Sequence, residues 1–273
     1  MSKPKFIDIE RVIKEKNPRL LNWLPRFVLR YLKKIIHEEE INSFLEKNKD
    51  LVNQEFCQAV VDYFNINIEV DNLDGVPKEG KIVIAMNHPL GGMDAMILVT
   101  ALQNHRKDLK FIVNDILMNL TNLKDLFVGV NKIGKNNSSL REDINELFDS
   151  DQAVCIFPAG LVSRRHRKKI EDLEWKKTFI TYSREYNRTI IPIYIDGRLS
   201  NFFYTLSNLR KRLRIKTNIE MLYLSNELFK QRNKTLKFIV GEPISQELLL
   251  SGLNDRQLAQ KVKQIVYDLK KEI

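Results

Sequence analysis

A histidine and an aspartate lie close together after an apolar run, in the sequence KIVIAMNHPLGGMDAMILV over residues 81–99. The proline after His88 restricts it to extended backbone conformations, and Gly91 and Gly92 let the chain fold back. The side chains of His88 and Asp94 can therefore meet. A carboxylate on one imidazole nitrogen fixes the tautomer and leaves the other nitrogen to accept a proton. The pattern indicates a general base for a hydroxyl, while Asp94 could instead cap the helix that begins there, or do both.

No serine or cysteine nucleophile accompanies this pair in a recognisable motif. The sequence has no G-x-S-x-G elbow, no P-loop and no dinucleotide fingerprint. Its two cysteines, Cys57 and Cys155, lack the spacing of metal ligands, and no motif implies a metal or an organic cofactor. The chemistry expected is direct attack by a substrate hydroxyl on an electrophile, without a covalent enzyme intermediate.

Glycine and proline cluster in four short segments near the ends of predicted strands. Six of the ten glycines fall in NHPLGGMD, GVNKIGK, FPAGLVSRR and IIPIYIDGR, which begin at residues 87, 129, 157 and 190. Glycine there permits unusual backbone angles or the close approach of a ligand. Each segment also carries a polar or basic residue, so the four together indicate the walls of one site.

Strand-like and helix-like segments alternate along most of the chain. The predicted strands are 82–87, 110–114, 153–157, 190–196, 219–224 and 235–240, and the predicted helices are 51–63, 94–104, 138–149, 174–187 and 255–271. This alternation predicts an α/β fold with a mostly parallel or mixed sheet flanked by helices. We expect a helical, membrane-associating N-terminal segment over 1–65 and the α/β domain over 66–273.

The composition is that of a globular chain with a basic surface. Of its 273 residues 43% are hydrophobic and 29% charged, and the net charge of +10 favours anionic partners. Lys and Arg occur without any acid over residues 16–37, 152–170 and 197–219. No apolar run approaches the ~18 residues of a membrane span, and the first residues lack the apolar stretch of a secretory signal. We therefore expect a cytosolic, reducing setting.

One of the basic runs has helical periodicity, PRFVLRYLKKIIHE over residues 25–38. Its apolar residues fall on one broad face and its Lys and Arg residues cluster on the other. Such a helix, with Trp23 beside it, suits a membrane interface, where apolar groups dip in and cations meet anionic headgroups. The same pattern suits a helix packed on the protein core, and the sequence leaves both alternatives open.

The four segments, in this order, resemble the four sequence blocks of the glycerolipid acyltransferase family, which acylates glycerol phosphate and lysophosphatidate. The resemblance covers about residues 70–245. The matching residues are His88 and Asp94 in the first block, Gly129, Ile133 and Lys135 in the second, Phe157, Pro158, Gly160 and Ser163 in the third, and Ile191, Pro192 and Ile193 in the fourth. The resemblance implies a glycerol-3-phosphate acyltransferase-like fold and acyl transfer to a hydroxyl.

Departures from the family pattern point to one branch of it. Five residues separate His88 from Asp94 instead of four, and Ala159 and Val162 replace a glutamate and an arginine of the third block. These changes are similar to a branch with the name hemolysin, which includes the O-acyltransferases of ornithine- and glycine-type aminolipids. The resemblance therefore implies a lyso-aminolipid acceptor, with 1-acylglycerol-3-phosphate as the alternative acceptor.

The resemblance also implies roles for the candidate residues. His88 would deprotonate the acceptor hydroxyl while Asp94 orients it, and the alkoxide would attack the thioester of acyl carrier protein or acyl-CoA. The oxyanion would be stabilised by backbone N–H groups near Gly91 and Gly92, by those near Gly160, or by Lys135. The residues expected to contact substrates are Lys135, Phe157, Pro158, Gly160, Ser163, Arg164 and Arg165.

Because the acceptor is a lipid, we expect the protein to be peripheral and monotopic on the cytoplasmic face of the inner membrane, bound to its anionic surface.

Three other function classes stay open. A nucleic-acid-binding protein would account for the charge, but no helix-turn-helix, RNA-recognition or zinc signature supports it, and no nucleic-acid partner is expected. A basic membrane-bound scaffold with an inactive site would account for the altered third block. A hydrolase or hemolysin is suggested only by the name of the branch.

Overall fold

The computed structural model describes residues 6–113, 118, 120–129 and 137–272. The chain forms two compact units. We call Met1–Leu51 with Ser200–Arg232 the helical unit, and Val52–Leu199 with Asn233–Ile273 the sheet unit. This grouping differs from the boundary predicted between residues 65 and 66, since the helix after Val52 belongs with the sheet and a later segment belongs with the N-terminal helices. In the described ranges, every helix is too short or too polar to span a bilayer.

The strands, in chain order, are β1 (Asn67–Asp71), β2 (Ile82–Met86), β3 (Leu109–Val113), β4 (Phe127–Gly129), β5 (Ala153–Ile156), β6 (Arg164–His166), β7 (Lys169–Glu171), β8 (Thr189–Asp196) and β9 (Thr235–Val240). Seven of these described strands form one sheet in the order β1-β9-β8-β2-β5-β3-β4, while β6 and β7 form a separate hairpin. Every neighbouring pair in the large sheet is parallel except β8 and β9. Each residue of β2 is buried, as expected for a central strand covered on both faces. The predicted fold class is confirmed.

The α-helices, again in chain order, are α1 (Ile9–Lys16), α2 (Pro18–Trp23), α3 (Arg26–Ile36), α4 (Glu38–Lys47), α5 (Asn53–Phe64), α6 (Gly92–Leu102), α7 (Asn137–Asp149), α8 (Thr178–Glu185), α9 (Asn201–Arg212), α10 (Leu224–Phe229), α11 (Gln246–Leu249) and α12 (Asp255–Asp268). In the sheet unit, α8 and α12 contribute to a core around Trp175 and Phe179. Helix α6 starts directly after the loop that leaves β2 and is buried along most of its length. This short β2–α6 connection holds the predicted His–Asp pair.

Most predicted elements are present, but the strand predicted over 219–224 was wrong. Ile219–Tyr223 form a 3-10 helix that leads into α10. The side chain of Glu220 turns inward, where it is fully buried and lies 2.9 Å from Nε of Arg210. This contact within the helical unit favours the helix over the strand that the apolar sequence IEMLYL suggested. Strand β4 and the β6–β7 hairpin were not predicted, since each strand has only three residues. Strand β1 was not predicted either, although its sequence NIEVD alternates polar and apolar residues.

Helix α3 divides its apolar residues between the inside and the outside of the helical unit. Ile35 is buried, and His37, which ends the helix in a left-handed conformation, stacks on the ring of Phe229 at 3.8 Å. Phe27 and Tyr31, on the adjoining side of the helix, are 66% and 49% exposed. One side of α3 therefore packs within its unit, as one alternative predicted, while the aromatic side is exposed to solvent.

Candidate active site

The carboxyl ends of two central strands bring the first and third sequence blocks together. Strands β2 and β5 are parallel neighbours, with Ala85 paired to Ile156. The chain leaves both strands at the same edge of the sheet, where ligands bind in open α/β folds. The rings of His88 and Phe157 stack there with their centroids 4.2 Å apart. This contact fixes one face of the imidazole against an aromatic ring.

His88 and Asp94 form a hydrogen-bonded pair. Nδ1 of His88 lies 3.0 Å from Oδ2 of Asp94. A carboxylate oxygen accepts, so Nδ1 carries the proton and Nε2 is left as the acceptor. The His88 side chain is 16% exposed and that of Asp94 is completely buried. Among the described residues, Nε2 has no hydrogen-bond partner, so it is free to take a proton from a substrate.

Asp94 also caps α6, so the residue both contacts His88 and begins a helix, while its part in a general base stays a prediction. Its Oδ2 accepts hydrogen bonds from the backbone N–H groups of Leu90 at 2.9 Å and Gly91 at 3.1 Å. Gly91 is the N-cap and has a φ of 79°, a conformation that a glycine adopts without strain. Within the described chain, Oδ1 of Asp94 has no hydrogen-bond partner. Complete burial raises the pKa of Asp94, while the hydrogen bonds from His88 and Leu90 lower it.

These contacts decide which glycine amides can stabilise an oxyanion. The N–H of Gly91 donates to Asp94, and the N–H of Gly160 donates to the carbonyl oxygen of Phe157 at 2.9 Å. Both of these N–H groups therefore have acceptors inside the protein, and the oxyanion role of other amides near them stays a prediction. Gly92 is the first residue of α6, where backbone N–H groups have no partner within a helix. A Cβ at Gly92 would meet no atom within 4 Å, so open space adjoins it.

Asp172, which sequence analysis did not select, connects the backbone of His88 to the third block. Its Oδ1 accepts from the N–H of His88 at 3.2 Å and from the hydroxyl of Ser163 at 2.6 Å. Its Oδ2 accepts from the indole N–H of Trp175 at 2.9 Å. The N–H of Ser163 in turn donates to the carbonyl oxygen of His88 at 2.8 Å. Asp172 and Ser163 thus hold the peptide groups on both sides of the histidine.

Helix α12 supports Asp172 from behind. The N–H of Asp172 donates to the hydroxyl of Tyr267 at 2.7 Å, and Nζ of Lys263 donates to its carbonyl oxygen at 2.6 Å. Burial, and the nearby charge of Asp172, raise the pKa of Tyr267, so its hydroxyl stays protonated. Both the main chain and the side chain of Asp172 are therefore fixed by hydrogen bonds.

Asn87 is a second residue that sequence analysis missed. Its side chain donates to the carbonyl oxygen of Ile195 at 2.9 Å and accepts from the N–H of Ile195 at 2.7 Å. The side chain is buried at the point where β2 ends, and it extends the pairing of β2 with β8 by one residue. Asn87 therefore sets the position from which His88 leaves the sheet.

The other predicted substrate contacts lie in different environments. Ser163 uses its hydroxyl on Asp172, and Arg164 is buried, with Nη1 donating to the carbonyl oxygen of Val162 at 2.7 Å. The geometry favours a positioning role for these two over direct contact with a substrate. Pro158 is buried and Arg165 is half-buried on β6, and their contacts with substrate stay predictions. Lys135 lies outside the described residues, and its role stays a prediction too.

His, Cys, Asp and Glu side chains form no metal-binding cluster of three anywhere in the described part of the chain. What the site offers is a base with a fixed tautomer, stacked on an aromatic ring, beside the first turn of α6. A base held in this way can deprotonate a hydroxyl for attack on a carbonyl carbon.

A model of the acyltransferase family matches residues 11–273. The chain belongs to this family. It is 42% identical to the lyso-glycine lipid O-acyltransferase of Bacteroides thetaiotaomicron, over 97% of each chain. It is 41% identical to the lyso-glycine lipid O-acyltransferase of Phocaeicola vulgatus, over 97% of this chain and 95% of that one. The protein is thus an acyltransferase, as the sequence predicted.

Among solved structures, the acyltransferase is similar to the 1-acyl-sn-glycerophosphate acyltransferase of Thermotoga maritima. The TM-score is 0.48 and the identity 17%, over 95% of this chain and 91% of the other.

Proposed function

We propose that this acyltransferase moves a fatty acyl group from an acyl thioester to the free hydroxyl of a lyso-aminolipid, with lyso-glycine lipid as the first acceptor to test. The observation that carries the reaction is the His88–Asp94 pair, with Nδ1 protonated and Nε2 unpaired among the described residues. The choice of acceptor is supported by the names of the two bacterial relatives and by their 41–42% identity.

In the proposed reaction, Nε2 of His88 takes the proton of the acceptor hydroxyl as the oxygen attacks the thioester carbonyl. The buried carboxylate of Asp94 stabilises the imidazolium that forms. The tetrahedral intermediate collapses when the C–S bond breaks, and the imidazolium returns its proton to the departing thiolate. The products are an ester and a free thiol, and His88 regains its starting protonation state.

The oxyanion of this intermediate needs donors already in place. The amide of Gly92, at the start of α6, is our leading candidate, because it lies two residues before Asp94 and is bordered by open space. The positive end of the helix dipole adds to this stabilisation. The donor is acyl carrier protein or acyl-CoA. Both carry a phosphopantetheine phosphate that a cation such as Arg165 can bind.

A lipid acceptor requires access to a bilayer. In the helical unit, Trp23 at the end of α2 and Phe27 and Tyr31 on α3 are exposed, and Arg26 and Arg30 also lie on α3. Exposed aromatic and basic residues suit a membrane interface with anionic lipids. We therefore propose a peripheral position on the cytoplasmic face of the inner membrane.

The test is acyl transfer by purified protein with acyl carrier protein or CoA carrying a radiolabelled acyl chain. Lyso-glycine lipid, lyso-ornithine lipid and lysophosphatidate are offered in parallel, with His88→Ala as the negative control and the exposed His166→Ala as its matched control. We expect label on an aminolipid with wild type and with His166→Ala only. Label on lysophosphatidate alone would favour a 1-acylglycerol-3-phosphate acyltransferase, and transfer to none of them would contradict the proposal.

A further inference from the structure

The segment Ser200–Arg232 has no part in the function proposed so far. It lies between β8 and β9 in the sequence but belongs to the helical unit. Its helix α9 buries Phe203, Tyr204 and Ser207. Phe202, Leu209 and Leu213 are spaced by seven and four residues, so they share one side of the helix and its extension. They are 48%, 50% and 60% exposed, which is unusual for large apolar side chains on one stripe.

Cations are interleaved with these apolar residues. Every residue from 211 to 217, with the sequence KRLRIKT, is exposed. Lys211, Arg212, Arg214 and Lys216 therefore alternate with Leu213 and Ile215 on the surface. Apolar groups flanked directly by cations are typical of segments that lie in a membrane interface.

The acids of this segment face the interior. Glu220 is completely buried, 2.9 Å from Nε of Arg210 and 3.3 Å from the hydroxyl of Ser207. Glu227 is completely buried as well, and it accepts from Lys230 and from Ser200. The segment contains no other acid. Its negative charges are thus neutralised inside the unit, and the charge that it presents outward is positive.

This surface is continuous with the aromatic side of α3. The hydroxyls of Tyr31 and Tyr223 lie 2.8 Å apart, and the ring of Tyr223 packs edge-on against Phe202 at 4.9 Å. All of these residues belong to the helical unit. The chain of contacts joins the exposed part of α3 to the exposed stripe of α9.

We propose that the segment 200–216 forms the second half of a membrane-docking surface whose first half is α3, and that its occupant is an anionic lipid bilayer. This proposal rests on the membrane position in the proposed function. Charge complementarity favours the bilayer, since cations near an anionic leaflet are attracted to it. A second copy of the chain is disfavoured, because it carries the same net charge of +10 and the same cationic surface.

The test measures flotation of the full-length protein with vesicles of phosphatidylcholine, with and without phosphatidylglycerol. Leu209→Gln with Leu213→Gln removes two of the three apolar residues of the stripe and keeps the charge, and we expect it to weaken binding about tenfold. Lys211→Gln with Arg212→Gln and Arg214→Gln keeps the stripe, and we expect a loss of about 100-fold confined to vesicles with the anionic lipid.

Leu250→Gln is the matched control for the leucines, since Leu250 is 79% exposed on the sheet unit. Lys78→Gln with Lys107→Gln and Lys261→Gln is the control for the charges.

Unchanged flotation of both variants, with circular dichroism showing that they are folded, would overturn the proposal. So would a wild-type protein that binds no vesicles, because the surface would then serve a protein partner.

An activity measurement separates this inference from the proposed function. In the leucine variant, the ratio of transfer to vesicle-borne over detergent-dispersed lyso-glycine lipid should fall about tenfold. If wild type transfers to neither form, the acceptor is wrong, while flotation still decides the docking surface.

Discussion

The two ends of the sheet both hold buried charges, but they complete their hydrogen bonds differently. At the amino end, the side chain of Arg188 donates to the carbonyl oxygens of Phe148, Ile82, Gln152, Leu147 and Ser150. Arg106 donates to Asp108 and to the carbonyl oxygens of Pro77, Gly80 and Asp151. Both arginines are buried. Every one of these acceptors is fixed, so this end is a closed structural network.

At the carboxyl end the network is left open at two atoms. Oδ1 of Asp94 is buried and, over the described ranges, has no hydrogen-bond partner. Nε2 of His88 likewise lacks one in that part of the chain. A buried polar atom without a hydrogen-bond partner lowers stability. Native structures retain such atoms where the site needs them for chemistry. From this comparison we predict that the amino end mainly determines stability and the carboxyl end mainly determines activity.

The largest expected effect is on activity at the open end. His88→Ala should lower turnover by ~10²–10⁴-fold, because it removes the proposed general base. Its free energy of unfolding should fall less than that of an arginine variant at the amino end, since Oδ2 of the buried Asp94 loses one donor but keeps the N–H groups of Leu90 and Gly91. Transfer assays and urea unfolding on the same preparation check both. A variant that retains turnover would remove His88 from the mechanism.

The largest effect on stability is expected at the closed end. Arg188→Met should lower the free energy of unfolding by about 3 kcal/mol or more, because it leaves buried carbonyl oxygens without donors. Burial also lowers the pKa of Arg188, but its five carbonyl contacts keep the guanidinium in place. Urea unfolding measures the loss. If Arg188→Met unfolds like wild type while losing activity, the proposed division between the two ends is wrong.

A smaller effect on activity is expected at Asp172, whose hydrogen bonds bear on both stability and activity. Asp172→Asn keeps the shape but weakens the acceptors for His88 and Ser163, so the imidazole loses its fixed position. We expect kcat/KM to fall about 10- to 100-fold, as misplacement of a catalytic group does, with KM nearly constant. The neighbouring Glu171→Gln is the matched control. A fall in stability with kcat unchanged would make Asp172 purely structural.

The smallest effect concerns the two buried cysteines, Cys57 on α5 and Cys155 on β5. Burial raises the pKa of Cys57 to about 12, and burial raises that of Cys155 as well. At pH 8 both thiols are therefore protonated in the folded protein, and we expect no labelling by iodoacetamide until urea is added. Above pH 9 the unfolded thiol ionises while the folded one does not, so stability should fall as pH rises. Rapid labelling of native protein at pH 8 would contradict the burial.

The sequence predicted the contact within one turn and the meeting of the first and third segments, but it did not predict the individual hydrogen bonds between distant residues. His88 and Asp94 are six residues apart on one strand–helix turn, so their meeting follows from the glycines and the proline between them. Asp172 reaches His88 across 84 residues, and Asn87 reaches Ile195 across 108. Asp172 follows a run of exposed cations and gives no local sign that it turns inward. The sequence likewise gives no local sign that Glu220 is buried, and the strand predicted over 219–224 was wrong for this reason.

The sequence by itself determined the α/β fold, the His–Asp pair and the acyltransferase family, because periodicity and short motifs are local properties of the chain. Only the tertiary structure decided that Ser163 and Arg164 face inward, that Gly91 serves Asp94, and that α3 packs with one side and exposes the other. Each of these depends on which strands become neighbours, as β2 and β5 do. That choice is made by burial of the whole apolar surface and leaves no mark on a single segment.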